Sequence, residues 1–163
     1  MIQAELADRG IDFEQWPAPR DLPTGATAEA IVAAYQDDVE RIQARWDFPL
    51  VDAIRITPEQ SDPALLRRQF LAEHTHAEDE LRFVVEGRGL FCLHVKDEVL
   101  ATLCERGDLI RVPADTRHWF DVGSLPLFCA LRFFNNNQGW LAHYTNDPIA
   151  QRFPGLDGGK LEP

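Results

Sequence analysis

The sequence predicts a mainly β protein, an antiparallel sandwich or barrel with α-helices flanking it on the N-terminal side. From about residue 70 to residue 134, short apolar runs recur and are separated by glycine or charged turns. No helical pattern lies between them, and regularly spaced short strands are typical of antiparallel sheets. The chain has 163 residues, which suits one domain with a sizeable core. We therefore expect a single domain over 1–163, with an N-terminal segment (1–69), a barrel core (about 70–134) and a tail (135–163).

The N-terminal segment is predicted to contribute two strands and two helices. Alternating apolar and polar residues indicate a strand over Ile11–Trp16, and several prolines then indicate an extended linker. A helix is predicted over about Thr27–Arg45, because its first residue is a good cap and its apolar residues fall on one stripe. Val51–Ile56 has the composition of a strand, and the pair Asp62-Pro63 is typical of the start of a short helix.

The barrel core is predicted from apolar runs that are bounded by turn residues. The strand candidates are Phe70–Glu73, Leu81–Glu86, Gly89–Val95, Val99–Leu103, Leu109–Val112, Trp119–Asp121 and Leu127–Phe134. In the tail, the pair Asp147-Pro148 indicates a second short helix.

The composition narrows the possible partners. The 16 basic and 27 acidic residues give a net charge of −11, which repels phosphate backbones and anionic lipid, so we expect neither nucleic acid nor membrane as a partner. The N-terminus has no basic segment followed by an apolar one, and three widely spaced cysteines do not form a disulfide framework. These features predict a cytoplasmic protein, and the acidic surface favours a monomer.

Two histidines and a carboxylate lie close together in the chain, and a third histidine follows far downstream. Side chains alternate between the faces of a strand, so His74 and His76 share a face and Glu80 keeps the same parity. Such a face is unsuited to a hydrophobic core and suited to a borderline divalent ion such as iron, nickel, manganese or zinc. His118, delivered by a turn onto another strand, would be a fourth ligand. Four ligands fit a closed tetrahedral zinc site or an octahedral ion with two positions left for water or substrate.

Both stretches resemble motifs of a known superfamily, the cupins. The matching residues are His74-x-His76-x-x-x-Glu80 followed by Gly87, and then Gly107, Pro113 and His118. More specifically, the chain from the helix near Thr27 to Trp140 is similar to the acireductone dioxygenases. The residues that carry this likeness are Glu73 to His76, Asp79 to Phe83, Glu86-Gly87-x-Gly89, Gly107-Asp108, Val112 to Ala114, Thr116 to Asp121 and Gly139-Trp140. One position departs from the second motif, where Asp115 replaces the usual glycine; Asp tolerates a left-handed turn better than most residues.

The resemblance implies a cupin barrel of the jelly-roll type and a dioxygenase of methionine salvage. It implies one Fe(II) or Ni(II) ion per chain, bound octahedrally with two waters by His74, His76, Glu80 and His118. The substrate would be acireductone, an enediol ketone with a methylthio tail, and the second substrate O2. With iron the family forms the 2-keto acid precursor of methionine and formate, and with nickel it forms methylthiopropionate, carbon monoxide and formate.

Four further residues are candidates for contact with the substrate. Arg82 has the parity of the predicted ligands, so we expect it to hydrogen-bond an anionic substrate oxygen; the alternative is a structural pair with an acid such as Glu73. Phe70, Phe120 and Trp140 are candidates to surround the methylthio tail, because sulfur–aromatic contacts are favourable. Core packing explains each aromatic residue equally well.

Two other functions stay open on the four ligands alone. One is another mononuclear metal cupin enzyme, such as an isomerase or an oxidase. The other is a non-enzymatic cupin that binds a small ligand, although no degraded ligand set or attached DNA-binding segment supports it. Two histidines, His94 and His143, fall outside both motifs; His94 is predicted to be a hydrogen-bonded structural residue, and both are left out of the site.

Overall fold

The computed structural model of the protein describes residues 2–59 and 62–158. Within them, helices flank a sheet that is mostly antiparallel and formed by strands from both ends of the chain. The helices are α1 (Ile2–Ala7), α2 (Ala28–Ala34), α3 (Gln36–Trp46), α4 (Pro63–Leu71) and a 3-10 helix (Pro148–Arg152). The strands are β1 (Asp12–Gln15), β2 (Leu50–Ile56), β3 (His74–Thr75), β4 (Glu80–Val95), β5 (Glu98–Glu105), β6 (Asp108–Val112), β7 (Arg117–Asp121), β8 (Phe128–Phe134) and β9 (His143–Tyr144). The prediction of a mainly β protein with antiparallel pairing and flanking N-terminal helices is confirmed.

The long strand β4 connects the two parts of the sheet. Its first half pairs with β6 and β8, and its second half pairs with β5 and β7. The pairing register with β8 shifts between Val84 and Glu86, and Gly87 follows with a φ of +68°. A Cβ atom at Gly87 would lie 1.8 Å from the carbonyl oxygen of Leu127, so this close approach of two backbones requires glycine.

Several predictions about elements differ from the structure. The strand predicted at Phe70–Glu73 is wrong, because Phe70 and Leu71 belong to α4 and the next strand begins only at His74. The two strands predicted at Leu81–Glu86 and Gly89–Val95 form one strand, β4, because the backbone passes through a bulge without ending. In addition, β1 and β2 pair with β6 and β8, so the sheet extends beyond the predicted barrel core at 70–134.

The helix predicted over Thr27–Arg45 is divided in two at Tyr35. Thr27 caps α2 as expected, and its hydroxyl accepts a hydrogen bond from the backbone N–H of Ala30. Tyr35 is buried, its ring lies edge-on to Phe83, and its hydroxyl bonds the backbone of Arg20. This anchored side chain lies where the backbone leaves helical geometry between α2 and α3.

The two larger apolar clusters of the described residues lie on opposite sides of the sheet. The first includes Leu93, Ile110 and Phe120. The second lies between the sheet and the helices α2 and α3, and includes Ile42 and Phe83. Among residues 2–59 and 62–158, none of the helices combines the length and the hydropathy that crossing a bilayer requires.

Candidate metal centre

Three elements bring the predicted ligands together. His74 lies on β3, which pairs with β7 so that His74 is directly opposite His118. His76 follows β3 by one residue, and Glu80 is the first residue of β4. All four side chains are buried at one place. A bend at residues 77 and 78 interrupts the extended backbone on which the predicted parity of Glu80 relied.

The donor atoms of these side chains converge. Ligand atoms of His74, His76 and His118 all lie within 4.8 Å of one another. The Glu80 carboxylate completes the group, with Oε1 at 3.3 Å from Nε2 of His118 and Oε2 at 3.5 Å from Nε2 of His76. Three imidazoles and one carboxylate around a common point form a set of donors that suits a divalent transition metal ion.

Hydrogen bonds to backbone carbonyls orient each imidazole. The Nδ1 atoms of His74 and His118 lie 2.7 Å and 2.8 Å from the carbonyl oxygens two residues earlier, Ala72 and Thr116. A carbonyl oxygen can only accept, so each Nδ1 is the protonated nitrogen and each Nε2 keeps its lone pair. This is the arrangement in which the partner of Nδ1 directs Nε2 towards a metal ion.

The third imidazole is oriented from the far end of the chain. Nδ1 of His76 lies 2.9 Å from the carbonyl oxygen of Leu141, which places its Nε2 among the other donors. The carbonyl oxygens of residues 72 and 116 are local partners, whereas that of Leu141 comes from the predicted tail. None of these three acceptors was predicted, and a backbone carbonyl leaves no signal in a sequence.

Buried nitrogen and oxygen atoms without hydrogen-bond partners support the fit of a cation at this site. Within the described residues, Nε2 of His76, Nε2 of His118 and Oε1 of Glu80 are buried without a hydrogen-bond partner. Burying such atoms without compensation costs free energy. Since Nδ1 carries the imidazole proton, Nε2 and the carboxylate oxygen beside it both present lone pairs, and neither can donate to the other. A cation between them would satisfy all of these atoms at once.

Burial and neighbouring charges set the protonation of the site. Burial lowers the pKa of His118 to about 3 and also lowers the pKa of His74, because an imidazolium loses its hydration. Burial alone would raise the pKa of the Glu80 carboxyl, but Arg82 and the nearby imidazoles outweigh it and lower the pKa to about 2. At neutral pH, His74 and His118 are therefore neutral and Glu80 is ionised, the forms that bind metal ions.

Arg82 lies inside the site, as its parity predicted. It is 7% exposed, and its Nη2 lies 3.3 Å from Oε2 of Glu80. Its guanidinium carbon is 5.7 Å from the ring centre of Phe91 and 5.9 Å from that of Phe120. Its Nε is buried and has no partner among the described residues. The acid that pairs with Arg82 is thus Glu80 and not Glu73. Glu73 contacts His94 instead, with 2.5 Å between Oε2 and Nδ1, so His94 is hydrogen-bonded as predicted.

The three predicted aromatic residues have different surroundings. Phe120 is buried in the barrel core, and Phe70, on α4, lies edge-on to it with ring centres 6.4 Å apart. Trp140 is 53% exposed. The sequence also missed Phe91, whose ring stacks on the His118 imidazole with ring centres 5.2 Å apart. The structure thus brings Phe70 and Phe120 together near Arg82, and leaves Trp140 at the surface.

The loop before β7 is attached to the loop between β3 and β4. The carboxylate of Asp79 accepts from the backbone N–H of Ala114 at 2.8 Å and from Arg111 at 3.0 Å. Asp115, which replaces the usual motif glycine, has a φ of +61°, as its tolerance of left-handed geometry predicted, and its N–H donates to the carbonyl of His76 at 2.8 Å. These hydrogen bonds hold the loop that leads to His118 against the loop that contains His76.

Comparison with known proteins gives one consistent result. The family model described as the ARD/ARD' family matches residues 2–142. The acireductone dioxygenase of Parasynechococcus marenigrum (strain WH8102) is 61% identical over 156 residues, which cover 96% of this chain and 84% of the relative. That of Prochlorococcus marinus (strain MIT 9303) is 59% identical with the same coverage. Among solved structures, an acireductone dioxygenase from Bacillus anthracis with a cadmium ion in its active center has a TM-score of 0.78 at 28% identity, over 88% of each chain. The match confirms the predicted cupin fold.

Proposed function

Because the chain belongs to the ARD/ARD' family of metal-binding cupin dioxygenases, we propose that it is an acireductone dioxygenase that cleaves its enediol substrate with O2. The observation that carries the proposal is the convergence of unpartnered Nε2 atoms on the Glu80 carboxylate. The relatives that match along 96% of the chain bear this name. The cadmium ion in the active center of the Bacillus anthracis protein supports metal binding by this chain.

We assign the metal ligands to His74, His76, Glu80 and His118, with one Fe(II) or Ni(II) ion per chain. Imidazole and carboxylate donors suit both ions. When bound, the ion supplies a Lewis acid and a template that holds the enediolate where O2 can reach it. Four protein ligands leave two positions of an octahedral ion, which is what a substrate binding through two oxygens requires.

The charges of the site suit an anionic substrate. Glu80 and Arg82 carry opposite charges at a distance of 3.3 Å and cancel each other, and His74 and His118 are neutral at neutral pH. A divalent ion therefore leaves the pocket with a positive charge that a substrate dianion would neutralise. Because the site is buried, this attraction is screened less than it would be in water.

Arg82 is proposed to bind an anionic oxygen of the substrate. Its unpartnered Nε can donate to the substrate while its Nη2 stays beside Glu80. The Phe91 and Phe120 rings limit the movement of its guanidinium group. Phe70, Phe120 and Trp140 are proposed to contact the methylthio tail.

The metal ion is proposed to decide the products. With iron, we expect the 2-keto acid precursor of methionine and formate; with nickel, we expect methylthiopropionate, carbon monoxide and formate. Which two substrate oxygens bind the ion would determine which carbons react with O2, so the choice of ion would choose the products. The predicted monomeric state and cytoplasmic location stay predictions.

The test is turnover by metal-loaded protein. Apoprotein is loaded with Fe(II) or Ni(II) without oxygen, mixed with acireductone and O2, and followed by the loss of enediolate absorbance and by formate and carbon monoxide release. We expect both loaded forms to accelerate the loss, and His118→Ala to abolish it. The exposed histidine His143 provides the matched control, His143→Ala, which should keep full activity. If both loaded forms leave the substrate decaying at its background rate, the protein is a different cupin.

A further inference from the structure

The C-terminal segment, residues 141–145, contacts the strand that carries the proposed ligand His74 and directly precedes His76. Its strand β9 pairs with β3, with His74 opposite Tyr144 and Thr75 opposite His143. The N–H of Thr145 donates to the carbonyl of Glu73 at 3.1 Å. Since β3 has only two residues, β7 on one side and β9 on the other provide most of its backbone support.

A buried carboxylate joins this segment to the centre of the sheet. Glu73 is 1% exposed. Its Oε1 accepts a hydrogen bond from the hydroxyl of Thr145 at 2.8 Å, and its Oε2 lies 2.5 Å from Nδ1 of His94. His94 is on β4, one residue from the pair in which Leu93 lies opposite His118. The Glu73 side chain therefore links Thr145 in the tail to His94 on β4, directly next to the proposed ligand His74.

Such a carboxylate is costly unless both oxygens have partners, because burial removes it from water. Glu73 and His74 are adjacent, so in extended backbone their side chains point to opposite sides. Glu73 is thus placed to orient β3, the strand of His74, from the side away from the metal centre. A metal site needs its donors within about 0.5 Å of their proper positions, and the short β3 has few bonds of its own to provide this precision.

We propose that Thr145 and His94 are positioning residues for the metal centre, acting through Glu73. The hydrogen bonds from Thr145 and His94 orient Glu73, and Glu73 in turn places the backbone of His74 so that its Nε2 faces the other donors. Neither Thr145 nor His94 is one of the proposed ligands. The proposal rests on the proposed metal-binding function of His74 and its partners.

The experiment compares substitutions that remove a contact to Glu73 with a substitution that keeps it. Thr145→Val removes the hydroxyl at nearly constant volume, and with it both the bond to Glu73 and the acceptor of the Asp147 N–H, whereas Thr145→Ser keeps both. Thr24, in an exposed loop, provides the matched control Thr24→Val. His94→Leu removes the second contact to Glu73, and it tests the proposal independently if Thr145→Val does not fold. Each folded protein is titrated with Ni(II) against a chromogenic chelator, and its visible spectrum is recorded after loading with Co(II).

We expect Thr145→Val and His94→Leu to weaken Ni(II) binding by roughly 10-fold to 100-fold, as changes to residues behind metal ligands commonly do. Thr145→Ser and Thr24→Val should bind like the wild type. The Co(II) spectrum should change in Thr145→Val and not in Thr145→Ser, which a general loss of stability would not produce.

The results distinguish the positioning role of Thr145 and His94 from the proposed dioxygenase function. If the wild type binds Ni(II) and turns over acireductone while Thr145→Val and His94→Leu bind equally well, the positioning role is overturned and the enzyme stands. If Thr145→Val weakens Ni(II) binding but the wild type has no dioxygenase activity, the positioning role stands and the enzyme is overturned. A wild type that binds no metal ion overturns both.

Discussion

Each imidazole of the metal centre has a backbone carbonyl at Nδ1, and this hydrogen bond determines which nitrogen can bind a metal ion. Ala72, Thr116 and Leu141 provide these carbonyls. If Nδ1 were free to accept instead, the proton would lie on Nε2 and the site could not bind a cation without losing it. The lone pairs at Nε2 are therefore prepared by the fold before any ion arrives.

Arg82 is the residue whose predicted role is most directly tested by substitution. Arg82→Leu should lower kcat/KM by roughly 100-fold or more, the size of loss seen when one charged donor is removed from a buried site. Arg88, which is exposed on the same strand, provides the control Arg88→Leu, which should keep its activity. Metal content is measured in both variants. An Arg82→Leu protein with full metal content and undiminished turnover would refute a catalytic role for Arg82.

Strand β4 is the element that relates the ligands to one another. Its first residue is Glu80, it pairs with β7 opposite His118 through Leu93, and it contains Arg82. Its two halves belong to different parts of the sheet, and the bulge before Gly87 allows both pairings. The direction of the strand on either side of Gly87 therefore affects the separation of the ligands.

Gly87→Ala tests this element. A Cβ atom at Gly87 meets the Leu127 carbonyl at 1.8 Å, and φ is +68°, so strain and overlap together should lower the free energy of unfolding by about 3–5 kcal/mol. Gly25 is the matched control, because its φ is +76° but a Cβ atom there has no neighbour within 4 Å. Gly25→Ala should cost only about 1 kcal/mol. Urea denaturation measures both, and equal losses would show that the approach of Leu127 is unimportant.

At the scale of the whole molecule, the buried metal centre makes the metal-free protein sensitive to acid. The unfolded chain binds a proton at His118 near pH 6.5, whereas in the folded protein its pKa is about 3. The stability contributed by neutral His118 is thus fully present above pH 6.5 and is lost as the pH falls towards 3. Glu80, with its pKa lowered from 4.5 to about 2, adds a further loss between those values.

This acid sensitivity is measured by urea denaturation in the presence of a chelator. From His118 alone, we expect the free energy of unfolding to fall by about 2 kcal/mol between pH 7 and pH 5. His118→Gln should show a smaller fall over this range, and His143→Gln, at an exposed position, should show the same fall as the wild type. An equal pH dependence in His118→Gln and the wild type would contradict the assigned pKa. Added Ni(II) should raise the stability at pH 7, because the ion binds only the folded form.

Local patterns were enough to predict most strands and the side chains that converge at the candidate metal centre. The alternation of side chains in extended backbone predicted that His74 and His76 share a face. Glu80 begins a different strand, β4, after a bend at residues 77 and 78, so its position beside the histidines depends on the tertiary structure. The same periodicity predicted that Arg82 faces the ligands. Short apolar runs between turn residues located β2, β5, β6 and β8 to within about two residues. Phe70 was assigned to a strand because an apolar run as short as residues 70–73 shows neither helical nor strand periodicity. The structure places Phe70 in α4, which begins at Pro63 and ends at Leu71.

Tertiary structure alone decided how the ligands are oriented and supported. The contacts of Leu141 with His76, and of Thr145 and His94 with Glu73, join residues far apart in the chain. No spacing rule relates such residues, because their proximity depends on the pairing of β3 with β7 and β9. Alternation along a strand is a property of neighbouring peptide units, so the residues themselves determined which side chains could bind a metal ion. The convergence of their Nε2 atoms depends on bonds between strands, which exist only after the chain has folded.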